Sequence, residues 1–178
     1  MQVNKQSKAA EEAQQFLTFL LSGEEYAISI LKVKEILEYD TVTNVPNTPV
    51  WIRGVLNLRG SVVPIVDLAL KFGRPASEIT KLTCIVIVET LCDGESITMG
   101  VLVDSVSQVV DLSPADIEEP PPFGTRLKVD YLQGLGRSGK KFCLILNIDN
   151  VLAADELLQI NACSTDQAED QAELAVAR

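Results

Sequence analysis

Short aliphatic and β-branched runs alternate along the chain with clusters of glycine, proline, asparagine and aspartate, which predicts many short strands and few helices. FLTFLL (16–21) and YAISI (26–30) flank Ser22-Gly23-Glu24 and read as a hairpin. KVKEIL (32–37) suits a helical turn or a strand. EYDTVTNVPNTP (38–49) is an extended stretch ending in Pro46 and Pro49, and each proline also restricts the residue before it. GVLNLRG (54–60) and SVVPIVDL (61–68) make a second apolar pair around Gly60-Ser61. ALKFG (69–73) adds a helical turn, and RPASEITK (74–81) is polar enough for a linker.

The second half runs through similar elements. TCIVIVETL (83–91) and SITMGVLVD (96–104) are strands around the turn Cys92-Asp93-Gly94, and VSQVVDL (106–112) follows. A proline-rich connection spans 116–122. YLQGLGRSGKKFCLILNI (131–148) reads as a hairpin, and DNVLAADELL (149–158) as a helix capped by Asp149 or Asn150. Residues 1–14 and 161–178 are polar tails outside the core.

The halves echo one another. WIRG (51–54) matches YLQG (131–134), and in the same gapless frame SVVPIVDL (61–68) overlays KFCLILNI (141–148). GEEYAISILKVKEIL (23–37) likewise resembles GESITMGVLVDSVSQVV (94–110). The shared order points to a duplication and so to two small, similar β-barrels, with a groove where they meet.

Composition adds mainly exclusions. A hydrophobic fraction of 47% suits a folded chain. No apolar run approaches the roughly 20 residues that cross a bilayer, and MQVNKQSKAAEEAQQ lacks a secretory core, so the expected address is the cytoplasm. The net charge of −10 argues against nucleic acid and against an anionic membrane surface. Cys84 and Cys143 lie in apolar runs, Cys92 and Cys163 in polar ones, and no pair shows metal-ligand spacing.

Catalytic chemistry finds little to work with. The chain has no histidine, the commonest general base and metal ligand. GLGRSG (134–139) fits G-x-G-x-x-G, and the run from Gly134 to Lys141 fits a P-loop except at Lys141, where magnesium binding needs Ser or Thr. A strand rather than a helix follows, so a glycine-rich hairpin turn is the better reading. Glu118-Glu119, or Asp104 with Asp111, make a solvated acidic surface rather than an opposed catalytic pair. No catalytic residue, metal or cofactor is expected.

YAISILKVKEIL (26–37), NTP (47–49), WIRGVLNLRGSVVPIVDL (51–68) and KFG (71–73) resemble the CheW family of chemotaxis coupling proteins. So do MGVLVDSVSQVVDL (99–112), YLQGLG (131–136) and FCLILNID (142–149). The resemblance implies a mainly β fold of two five-stranded, SH3-like barrels with short helices, one near the C-terminus. It places them in a CheW-like domain over 15–160 as two intertwined subdomains, roughly 15–80 and 81–160. It implies an adaptor between methyl-accepting chemoreceptors and the chemotaxis histidine kinase, in cytoplasmic arrays near the membrane. The receptor's helical tip is expected in the groove between barrels and the kinase's regulatory domain on the first barrel. A second reading is a nucleotide or small-molecule module using that groove or the loop from Gly134 to Lys141.

Particular residues carry expectations. Arg59 sits among apolar residues beside a glycine, so its guanidinium either pairs with Asp67 inside the barrel or faces a partner as a bidentate fork. The resemblance favours receptor contact for Arg59. Gly54 and Gly60 read as turn residues, and the resemblance also puts Gly54 at the receptor groove. Asn57 suits a turn hydrogen bond or a partner contact. An extended KVKEIL puts Val33 and Glu35 on one face and Lys34 and Ile36 on the other. By resemblance Ile30, Val33 and Glu35 contact the kinase, while Val33, Val106 and Val109 contact the receptor. Trp51 is expected to pack between segments.

Overall fold

Eleven strands carry the described chain: β1 (Gln14–Leu21), β2 (Glu24–Ser29), β3 (Val33–Glu38), β4 (Ile52–Leu58), β5 (Ser61–Asp67), β6 (Cys84–Cys92), β7 (Glu95–Val103), β8 (Ser105–Leu112), β9 (Ile117–Glu118), β10 (Leu132–Ser138) and β11 (Lys141–Leu146). Two short helices follow the hairpins, α1 (Leu68–Lys71) and α2 (Ile148–Val151). This computed structural model describes residues 13–40, 42–92, 94–119 and 129–152.

The ambiguous stretch after β2 divides into a 3-10 turn, Ile30–Lys32, and strand β3. β1 starts inside the stretch read as a tail, because Gln14 pairs with Leu112 of β8. The proline-rich connection also contributes β9, a strand the sequence pattern does not announce.

The strands form a six-stranded sheet in the order β8-β1-β2-β11-β10-β9 and a five-stranded sheet in the order β3-β6-β7-β5-β4. The arrangement is consistent with SH3-like barrels, but β9 gives one sheet six strands rather than five, and no ladder joins either sheet's end strands. Sheet membership does not follow a cut at residue 80. β1 and β2 lie with β8–β11, whereas β6 and β7 lie with β3–β5. The exchange works through two parallel contacts, β5 with β7 and β11 with β2. Non-local pairing of this kind is invisible to local pattern.

Burial explains why so many strands are apolar on both faces. In β6, Ile85 and Ile87 point into the five-stranded sheet's own core, while Val86 and Val88 join a larger cluster between the sheets. In β1, Phe16 enters the small core of the six-stranded sheet, and Leu17, Phe19 and Leu21 enter the central cluster. Period-2 alternation thus feeds two cores at once. The expected groove between barrels is filled at its centre by this cluster. Phe19, Tyr26, Phe72 and Tyr131 run through it as a chain of ring contacts at 5.8–6.0 Å.

The duplication persists in three dimensions. Gly54 pairs with Ile65 across a bulge in the β4–β5 hairpin, and Gly134 pairs with Ile145 across the equivalent bulge in β10–β11. Trp51 O accepts from Asp67 N at 2.7 Å, and Tyr131 O accepts from Asn147 N at 2.9 Å. Asp67 caps α1, and Asn147, rather than Asp149 or Asn150, caps α2. Asp149 is engaged elsewhere, 2.8 Å from Lys32 Nζ and accepting from Leu91 N at 3.2 Å. The helix expected over 149–158 is seen as Ile148–Val151, its remainder lying outside the described residues.

Candidate functional site

The turn between β4 and β5 holds Arg59 at φ 51° and Gly60 at φ 85°, a type I′ geometry whose twist suits antiparallel strands. A left-handed conformation is ordinary for glycine and costly for arginine. Asn57 Oδ1 accepts from Gly60 N at 3.0 Å and closes the turn from the side. The Arg59 side chain is 79% exposed, and its Nη1 lies 3.2 Å from Glu35 Oε2.

That pair bridges the open seam of the five-stranded sheet, since β3 and β4 are its two end strands. Beside it a concavity of about 620 Å³ opens between the start of β3, the β4–β5 turn and the start of β7. Val63, Ile87 and Ile97 give it apolar walls, and Lys34, Glu35 and Arg59 give it a charged rim. Val62, 70% exposed, adds an uncovered apolar side chain. Period 2 counted from the hairpin turn would have flagged Val62; Ile97 comes from a distant strand and carries no such signal.

Arg59 does not pair with Asp67. The fully buried Asp67 carboxylate accepts instead from Arg53 Nε at 3.2 Å, from Ala69 N and Leu70 N at 3.0 and 3.4 Å, and from Ser77 N and Oγ at 3.2 and 3.1 Å. Arg53 also donates to Ser77 O at 2.7 Å, so this hub anchors the connector to β6. Register explains the choice of arginine: Asp67 follows Val66, which pairs with Ile52 at the open end of the hairpin beside Arg53, while Arg59 lies in the turn at the other end.

Nor do Val33 and Glu35 share a face. Val33 pairs with Val88 and packs on the central cluster, whereas Glu35 pairs with Ile87 and turns toward the concavity. A bulge between them inverts the alternation. Gly54 is no turn residue. It lies buried in β4 at φ 148°, where an added Cβ would come 2.1 Å from Thr43 O.

The other expected contacts are spread out. Ile30 and Val106 are half-buried against the central cluster. Ile30 also lines a second concavity of about 580 Å³ with Leu31 and with Asp111 of β8. Val109, on the same strand, is 49% exposed. Trp51 packs on the central cluster with Lys71 Nζ 3.9 Å from its ring centroid.

The family model of the CheW-like domain matches residues 15–156. This chain belongs to the CheW family. It is 40% identical over 157 residues to the chemotaxis protein CheW of Klebsiella aerogenes, spanning 87% of this chain and 92% of that one. The Helicobacter pylori chemotaxis protein CheW is 34% identical over 145 residues, covering 82% and 85%. Among crystal structures, the scaffolding protein TtCheW from Thermoanaerobacter tengcongensis matches with a TM-score of 0.71 at 30% identity, over 79% of this chain and 88% of that chain. The chain is a chemotaxis coupling adaptor of this family.

The glycine motif takes its place within this CheW fold. Gly134 and Gly136 lie buried inside β10, where a Cβ would come 2.7 Å from Ile117 Cγ2 and 2.7 Å from Leu112 Cδ1 respectively. They pack strands together, and strand β11 rather than a helix follows them. Two of the carboxylates are likewise occupied, Glu118 with Arg137 at 2.8 Å and Asp104 accepting from Ser22 N at 2.8 Å. Among the described residues no group of three or more Cys, Asp or Glu side chains could hold a metal, and no helix is long and apolar enough to cross a membrane.

Proposed function

We propose that this adaptor joins the cytoplasmic tip of a methyl-accepting chemoreceptor to the regulatory domain of the chemotaxis histidine kinase by binding alone, without catalysis. In this reading it works in the cytoplasm, at arrays beside the membrane. The receptor surface is Arg59 with Asn57, Val33, Val106 and Val109, and Gly54 shapes it from below. The kinase surface is Ile30, Val33 and Glu35.

The observation that carries the reading is Arg59 itself. An arginine held in a left-handed turn, mostly exposed and beside an apolar concavity, is costly to the fold. Such a cost is characteristic of sites under functional demand. Its fork suits carboxylates on a helical partner, and Val62 and Ile97 supply the apolar surface beside it.

Calorimetric titration of a receptor-tip peptide dimer into the wild-type protein and into Arg59→Ala tests the assignment. Receptor affinity falls at least tenfold in the variant while kinase-domain affinity holds. Equal receptor affinity for both proteins would refute it. Nucleotide titrated in parallel should give no heat, as expected if the 134–141 loop is a hairpin.

A further inference from the structure

We propose that Asn57 is a positioning residue for the partner site: its side-chain carbonyl holds the β4–β5 turn in the conformation that aims Arg59 across the seam at Glu35. This rests on the reading of Arg59 as the receptor contact and changes the role of Asn57 from contact to support.

Three observations carry it. First, Asn57 Oδ1 is spent on the turn, accepting from Gly60 N at 3.0 Å. In a two-residue hairpin that N–H otherwise has no ladder partner. Second, the residue next to that bond is a non-glycine in the left-handed region, Arg59 at φ 51°. Left-handed arginine persists only where its surroundings over-determine it. Third, the duplicated hairpin lacks the device and turns differently, with only Gly139 of its two turn residues left-handed. Arg137 stands where Asn57 does, Gly139 stands where Arg59 does at φ 66°, and β10 and β11 still meet at Ser138 and Lys141. The Asn side chain thus accompanies the one hairpin of the two that holds an arginine in its strained turn position.

The claim concerns one atom. If Asn57 only positions, an acceptor oxygen is enough; if it touches the receptor, its amide N–H₂ is needed too. Asn57→Asp keeps the acceptor and removes the donor, whereas Asn57→Ala removes both. Receptor-tip affinity by calorimetry should stay within about twofold of wild type for Asn57→Asp and fall roughly fivefold for Asn57→Ala, the equivalent of one neutral hydrogen bond. In the Arg59→Ala background Asn57→Ala should cost nothing further, because the residue it positions is gone.

Amide NMR on the same full-length proteins reads the turn without any receptor. The Gly60 N–H signal moves upfield and the Arg59 HN–Hα coupling changes in Asn57→Ala, and both are preserved in Asn57→Asp. Loss of receptor affinity in Asn57→Asp with an unmoved Gly60 signal would overturn the proposal in favour of direct contact. An unmoved Gly60 signal in Asn57→Ala would overturn it outright. If Arg59→Ala left receptor binding intact while Asn57→Ala still shifted Gly60, the receptor assignment would fail and the positioning of Arg59 would stand.

Discussion

Arg59 Nη1 and Glu35 Oε2 lie 3.2 Å apart across the seam between the two end strands of the five-stranded sheet, from the β4–β5 turn to strand β3. Both side chains reach solvent, so the pair contributes roughly 0.2–1 kcal/mol to stability, too little to account for keeping an arginine in a left-handed turn. Its placement matters more than its strength. It brings the residue assigned to the receptor into contact with one assigned to the kinase.

Arg59→Gly separates fold from function. Glycine relieves the left-handed strain, as Gly139 does in the second hairpin, and should raise stability by about 0.5–1 kcal/mol. It also deletes the guanidinium, so receptor-tip affinity should drop at least tenfold. Urea denaturation and calorimetry on one preparation are expected to move in opposite directions.

Gly54→Ala should be among the most damaging small substitutions in the chain. A Cβ there meets the Thr43 carbonyl at 2.1 Å, on a backbone with φ 148°. Backbone displacement and strain together are expected to cost about 2–4 kcal/mol. At Gly60 a Cβ meets nothing within 4 Å, so Gly60→Ala should cost only the left-handed strain, about 1 kcal/mol. Urea midpoints of the two variants give the comparison.

The equivalent caps Asp67 and Asn147 should prove unequal. Asp67→Ala strands the Arg53 guanidinium and both Ser77 donors, and should destabilise by about 3 kcal/mol or more. Asn147→Ala loses one capping bond, to Asn150 N, and should cost about 1 kcal/mol. Thermal unfolding of both variants reads the difference.

Stability should decline on the alkaline side. Burial pushes the Cys143 thiol up, with the charge of Glu25 adding to the effect. Burial likewise raises the Tyr26 phenol, helped by its hydrogen bond to Glu24 Oε2 at 2.9 Å. Both folded values exceed the ordinary ones, so the native chain keeps these protons longer than the unfolded chain does. Their contribution is complete below the ordinary values, about 8.5 for a thiol and about 10 for a phenol, and is lost as pH rises through the raised ones. The urea midpoint should hold near neutrality and fall above about pH 9, and Cys143→Ala should flatten the first part of the fall. A midpoint that rose with pH there would contradict the assignment.

Several features were legible from residues alone because they depend on neighbours in the chain. The hairpin at Ser22-Gly23 follows from turn chemistry between alternating runs. So does the second hairpin, although its turn, read at Gly60-Ser61, falls one residue earlier at Arg59-Gly60 because Ser61 already pairs with Leu58. The duplication followed from one gapless frame, and it reappears as matching bulges at Gly54 and Gly134. The family resemblance rested on residues 26–73 and on their echoes in the second half.

Other features were not legible, for one reason. Which strands share a sheet, which carboxylate Arg59 meets and which face Glu35 takes all depend on pairing between distant segments. A single bulge inverts every alternation downstream of it, and period-2 reading cannot locate one. Val33 and Glu35 therefore read as neighbours on one face and stand on opposite ones.

The amino-acid sequence by itself determined a mainly β chain, built twice from one hairpin unit and marked by Asn57 and Arg59 in the first copy only, since strand pattern and turn type are local properties. Only the tertiary structure decided that the copies exchange strands, that their meeting place is a filled core, and that Arg59 faces Glu35. Those outcomes are set by long-range register, where each apolar face is buried against whichever distant strand completes its core.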